Sequence, residues 1–92
     1  MCEIMEEIEK IKKFTNWQNV KKESSAEYKF YFEVSLHEVK PIDNIKYFYY
    51  DPIDDYVIAV AANKFYIGVW HKDKEIHCFG ESNSLKEICE SL

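Results

Sequence analysis

The feature that most constrains this chain is the change of hydrophobic period that follows Trp17. Up to Phe14 the apolar residues Met1, Ile4, Met5, Ile8 and Ile11 recur at helical spacing, which places them on one stripe of an α-helix. From Tyr28 the period falls to two, with Tyr28, Phe30, Phe32, Val34 and Leu36 alternating with Lys29, Tyr31, Glu33 and Ser35. That alternation belongs to a strand with one buried face. Neither element can bury its apolar side alone, so the two must be layered against each other.

The helix is self-consistent on its solvent side. Glu3, Glu6, Glu7 and Glu9 precede Lys10, Lys12 and Lys13, an order that suits the helix dipole. Glu6 with Lys10 and Glu9 with Lys13 have favourable i, i+4 spacing. On this reading Ile8 belongs to the buried stripe, and Glu7 faces water, where its loss costs little.

A polar connection through Lys21, Lys22, Glu23, Ser24 and Ser25 leads into the first strand, and Pro41, Asp43 and Asn44 mark a loop after it. Four further β-rich runs follow: Ile45 to Tyr50, Tyr56 to Ala62, Phe65 to Lys72 and Glu75 to Phe79. Links this short join antiparallel neighbours. Near the end, Ser84-Leu85-Lys86-Glu87 reads as a capping box opening a helix with Leu85, Ile88, Cys89 and Leu92 on one face. The predicted fold is α+β: an N-terminal helix packed on a five-stranded antiparallel meander sheet with a short C-terminal helix, one compact domain over residues 1–92. The order of elements resembles the broad cystatin-like arrangement, in which a sheet wraps one long helix. That resemblance is one of layout and implies no activity.

Two-residue turns at Asn63-Lys64 and Asp73-Lys74 would pair Ala62 with Phe65 and Lys72 with Glu75. One face then collects Tyr56, Ile58, Val60, Ala62, Phe65, Ile67, Val69, His71, Ile76 and Cys78, together with Phe48 and Tyr50 if Tyr50 lies opposite Tyr56. This is the expected core beneath the first helix. The other face collects Val57, Ala59, Ala61, Tyr66, Gly68, Trp70, Glu75, His77 and Phe79, with Tyr47, Tyr49 and Tyr31 beside them. Rings with polar tips around small residues are the mixture enriched at recognition surfaces. The competing expectation is that the closing helix covers this face.

Composition narrows the chemistry. With 17 acidic and 12 basic residues the net charge is −5, and every basic residue is Lys. A negative chain repels phosphate backbones, and without Arg it lacks the planar fork that grips them, so direct nucleic-acid binding is not expected. Cys2, Cys78 and Cys89 are an odd number at no metal or redox spacing, which points to a reducing, cytoplasmic setting without disulfides. No run is long and apolar enough for a membrane span. His77 and Cys78 are adjacent in a strand and point to opposite faces, so no zinc or nucleophile site is expected there. Asp51, Asp54 and Asp55 form an acidic corner explained by turn chemistry, with no glycine to shape a cation loop. No catalytic motif is present, and no catalytic residue, metal or cofactor is assigned.

These observations lead to the expectation of a non-enzymatic protein-binding module, a small cytoplasmic adaptor or stoichiometric inhibitor of a larger protein. Its expected partner-binding residues are Tyr31, Tyr47, Tyr49, Tyr66, Trp70 and His77, with Asp54 and Asp55 beside them. A narrower version is a phage or mobile-element inhibitor of host defence, its acidic surface occupying a basic nucleic-acid-handling enzyme. A homodimer is compatible with the same sequence. The alternative from another class is a ligand- or single-stranded nucleic-acid-binding domain stacking bases on Tyr31, Tyr66, Trp70 and Phe79, with Lys29 and Lys72 for phosphates.

Overall fold

Seven strands and two helices make up the fold in a computed structural model that describes residues 7–91. In chain order the elements are α1 (Glu7–Phe14), β1 (Lys21–Ser24), β2 (Lys29–Ser35), β3 (Glu38–Ile42), β4 (Ile45–Tyr50), β5 (Tyr56–Ala61), β6 (Phe65–Lys72), β7 (Glu75–Ser82) and α2 (Leu85–Glu90). The expected helical residues from Met1 to Glu6, and Leu92, lie outside the described residues. The strands form one sheet in the order β1-β4-β5-β6-β7-β2-β3. It is a mixed sheet and not a five-stranded antiparallel meander, because β2 runs parallel to β7.

The two strands absent from the sequence reading are β1, expected as a polar connection, and β3, expected as a loop. Both are sheet edges. An edge strand has one side open to water and needs little apolar patterning, so β1 can be built from Lys21, Lys22, Glu23 and Ser24, all exposed. In β3, Pro41 opposes Tyr31, and proline is tolerated in a strand where its missing N–H faces outward.

Register decides which side chains meet, and here the structure corrects two assignments. Tyr50 pairs with Val57, not Tyr56, because the Asp51 N–H donates to the Tyr56 carbonyl at 3.0 Å. That one-residue slip sends Tyr47 and Tyr49 to the face of Val60 and Ile58, and Phe48 and Tyr50 to the face of Ala59 and Val57. On the β6–β7 hairpin, Lys72 does oppose Glu75, but Trp70 opposes Ile76, so His71 is an extra residue in β6. Phe79 is the matching extra residue in β7, since Ile67 opposes Gly80 while Gly68 opposes Cys78. Bulges of this kind flip a strand's faces relative to its neighbour. Ile76 and Cys78 therefore join Trp70, and His77 joins Val69. Gly68 sits where the strands close up, and a Cβ there would collide with the backbone of His77 and Cys78. The β5–β6 turn is longer than expected, with Val60 opposite Phe65, which leaves the faces of those strands as read.

Both faces of the sheet are buried over its centre. On one, Ile11, Trp17, Tyr49, Ile58, Val60, Ile67, Leu85, Ile88 and Cys89 form a core roofed by α1 and α2 side by side. The closing helix thus shares the first helix's face. Its start is capped by the Ser84 hydroxyl, which accepts from the Glu87 N–H, while the Glu87 carboxylate accepts from Ser82 Oγ at 2.7 Å. On the other face Phe30, Phe48, Val57, Ala59, Ile76 and Cys78 form a second core, with Tyr28, Tyr50, Tyr66 and Trp70 against it.

Among the described residues no helix roofs that second core, and the sheet encloses it by curling. Between β4 and β2 lie four ladder steps, about 19 Å in a flat sheet, yet the Phe30 and Phe48 rings are 5.6 Å apart. Tyr28 approaches Phe48 at 4.8 Å and Trp70 at 5.2 Å, both edge to face. We call the helix-bearing side convex and the enclosed side concave. Trp70 belongs to the concave core, its indole N–H donating to the Asp73 carbonyl at 3.0 Å. Trp70→Ala is expected to lower stability by about 3 kcal/mol, read as a fall of several degrees in Tm by calorimetry.

Candidate functional site

Among the described residues the helices roof only part of the convex face, and what they leave open is a strip set by register. Tyr56 opposes Val69, Val69 opposes His77, His77 opposes Tyr31 and Tyr31 opposes Pro41. One row thus crosses β5, β6, β7, β2 and β3. Tyr56 is 36% and Phe79 45% exposed, and Val39, which opposes Glu33, is 45% exposed. The Tyr31 and His77 rings meet edge to face at 5.5 Å, and His71 stacks on His77 at 4.2 Å. Glu75 closes one side, its Oε1 3.7 Å from His77 Nε2.

The acidic corner ends the row beside Tyr56. Asp51 is buried, 3% exposed, and its Oδ1 accepts from the Ile53 N–H at 3.0 Å. Asp55 holds a left-handed backbone with φ of 60°, and its carbonyl accepts from the Trp70 N–H at 2.9 Å. The turn thus clamps β6 through backbone and leaves the Asp54 and Asp55 side chains exposed. Asp54 and Tyr56 also border an open cleft of about 460 Å³ whose other walls include Lys13, Trp17 and Cys89.

Of the expected partner-binding residues the structure brings together Tyr31 and His77, with Asp54 and Asp55 at the end of the same row. It places the other four elsewhere. Tyr66 and Trp70 pack on the concave core. Tyr47 and Tyr49 lie beneath α1, where both hydroxyls donate to Glu7 Oε1, at 2.6 and 2.7 Å. Burial first, and that carboxylate second, push both phenols above their ordinary pKa. Lys22 completes the cluster, its Nζ 4.2 Å from the Tyr47 ring centroid.

Glu7 is therefore a tether between helix and sheet rather than the solvated side chain its spacing suggested. The His71–His77 stack is the other feature the sequence reading missed, and it depends on a bulge. The available signal was weak: two hydrophilic-tipped rings six residues apart around a turn with no glycine.

Cys78 is enclosed, and burial followed by the Glu33 charge pushes its thiol up to about 12. Burial likewise takes Cys89 to about 11. Thiols held so far above neutrality are protonated and poor nucleophiles. Among the described residues no group of three or more His, Cys, Asp or Glu is arranged to hold a metal ion, and none of their helices is long and apolar enough to cross a membrane. No family model, curated protein or solved structure matches the chain.

Removing the tether tests the assignment of Glu7. Glu7→Ala leaves the buried Tyr49 hydroxyl without its acceptor, so a loss of about 1–3 kcal/mol is expected in urea unfolding. Tyr49→Phe in the same background should recover part of that loss, because it removes the orphaned hydroxyl as well.

Proposed function

We propose that the protein is a non-enzymatic, cytoplasmic protein-binding module, an adaptor or stoichiometric inhibitor of a larger protein, that engages its partner through the convex strip. The observation carrying this reading is the set of rings left outside both cores: Phe79 and Tyr56 exposed, Tyr31 and His77 half-buried, on rigid strands. Large side chains of this kind, apolar in body and polar at the tip, are the anchors of protein interfaces. The backbone beneath them is fixed by sheet pairing on both sides, so little order has to be gained on binding.

Charge favours a basic partner. The chain carries 17 acidic residues against 12 Lys, and Asp54 and Asp55 stand at one end of the strip. A positively charged groove would be drawn to that end. Within this reading the narrower proposal is an inhibitor of a basic nucleic-acid-handling enzyme, of the kind a mobile element turns against host defence. The base-stacking alternative loses support, since its four rings divide between the faces, with Tyr66 and Trp70 on the concave core and Tyr31 and Phe79 on the convex strip.

Phe79 gives the direct test because it lies on the strip and in neither core. Phe79→Ala should abolish retention of partner by immobilised protein while shifting Tm by no more than about 2 °C, the scale of a surface substitution. Fluorescence anisotropy with labelled single strands at about 0.15 M salt should show no binding by the unaltered protein. Binding there that Phe79→Ala removes would replace the proposal with the nucleic-acid reading.

A further inference from the structure

We infer that the open cleft beside Tyr56 receives an arginine side chain of the partner, an inference that rests on the reading of a basic partner given above. Its floor is apolar and closed, since Trp17 and Cys89 are only 5% and 2% exposed. Phe14, half-buried, adds a second ring, and Tyr56 a third. The volume, about 460 Å³, falls among the roughly 300–1,000 Å³ of small-ligand sites. One long side chain fits within it. Tyr56 belongs to both the cleft and the strip, so a partner lying along the strip reaches the cleft without leaving the surface.

Charge then chooses the occupant. Asp54 and Glu90 line the cleft, both are exposed, and among the described residues neither forms an ion pair. Lys13 is the lining residue of opposite sign, and it lies in the last turn of α1, where it answers the negative end of that helix's dipole. The two carboxylates therefore leave the walls net negative. In this the cleft follows the whole chain, whose net charge is −5. A guest with an apolar stem and a positive head matches carboxylates set around rings. Arginine matches best, because its planar guanidinium both stacks on a ring and forks a carboxylate. The chain itself contains no Arg, so the occupant comes from a different protein and not from a second copy.

Titration with the capped tripeptide Ac-Gly-Arg-Gly-NH2, followed by NMR at low salt, reads the cleft without the partner. The Trp17 indole and Asn16 side-chain amide resonances, both from residues lining the cleft, should move saturably. The same peptide with citrulline in place of Arg, alike in shape but neutral, should bind at least roughly fivefold more weakly. D54N and E90Q should each weaken the Arg peptide about threefold, whereas K13M should tighten it by about the same factor. All three positions are exposed, and circular dichroism of each variant confirms the fold. Tighter binding in D54N with weaker binding in K13M would make this an anion cleft and overturn the inference, as would equal binding of the citrulline peptide. A cleft silent to the Arg peptide, alongside loss of partner capture in Phe79→Ala, removes this inference and leaves the strip. A saturable Arg signal alongside full capture by Phe79→Ala keeps the cleft and removes the strip.

Discussion

Packing of Tyr28, Phe30 and Trp70 around Phe48 is the constraint on which the rest of the structure depends. These side chains come from strands or strand ends that a flat sheet would hold well apart, and their rings lie within 4.8 to 5.8 Å of Phe48. Burying several aromatic rings is worth several kcal/mol, with a further contribution from each edge-to-face contact. The natural right-handed twist of a sheet already bends it in one sense, and the aromatic cluster completes the curl. One sheet can then supply two cores, a concave one that it closes on itself and a convex one that two short helices roof.

That division explains why so few residues suffice. A single layer pairing of helix on sheet in a chain of 92 residues would leave one sheet face wet or require more helix to cover it. Among the described residues the helices span eight and six residues. They are anchored locally, α1 by the Glu7 bridge to Tyr47 and Tyr49 and α2 by the Ser84 cap. Among the described residues they leave uncovered the far part of the convex face, where β6, β7, β2 and β3 hold Tyr31, His77, Phe79 and Val39 at least partly open. The strip is thus a remainder of the architecture: the rings lie outside because both cores are already filled.

Much of this was legible in the sequence. Period-two runs located β2, β4, β5, β6 and β7 closely, and the apolar stripe with the capping serine located both helices. The faces were harder, because each rests on counting residues through turns and bulges. Placing Tyr50 opposite Tyr56 was wrong by one residue, which exchanged Tyr47 and Tyr49 with Phe48 and Tyr50. His71 and Phe79 are bulge residues with no composition signal, and they moved Ile76 and Cys78 across the sheet and parted Trp70 from His77. Both alternating sets of β5 and β6 are apolar, so hydrophobicity could not arbitrate between them. The parallel pairing of β2 with β7 joins segments more than forty residues apart, and nothing local encodes it. The same pairing divides the expected site: Tyr31 and His77 meet across that parallel ladder, while Tyr66 and Trp70 share a strand face that is interior.

The curl itself is open to direct observation by isotope-edited NOESY on the aromatic rings. The structure requires strong cross-peaks from Tyr28 and Phe30 to Phe48, with centroids 4.8 and 5.6 Å apart, and from Tyr28 to Trp70. Cross-peaks confined to neighbouring strands, with none joining Phe30 to Phe48, would mean an open sheet whose second face is bare, and would contradict both the concave core and the strip defined by its exclusion.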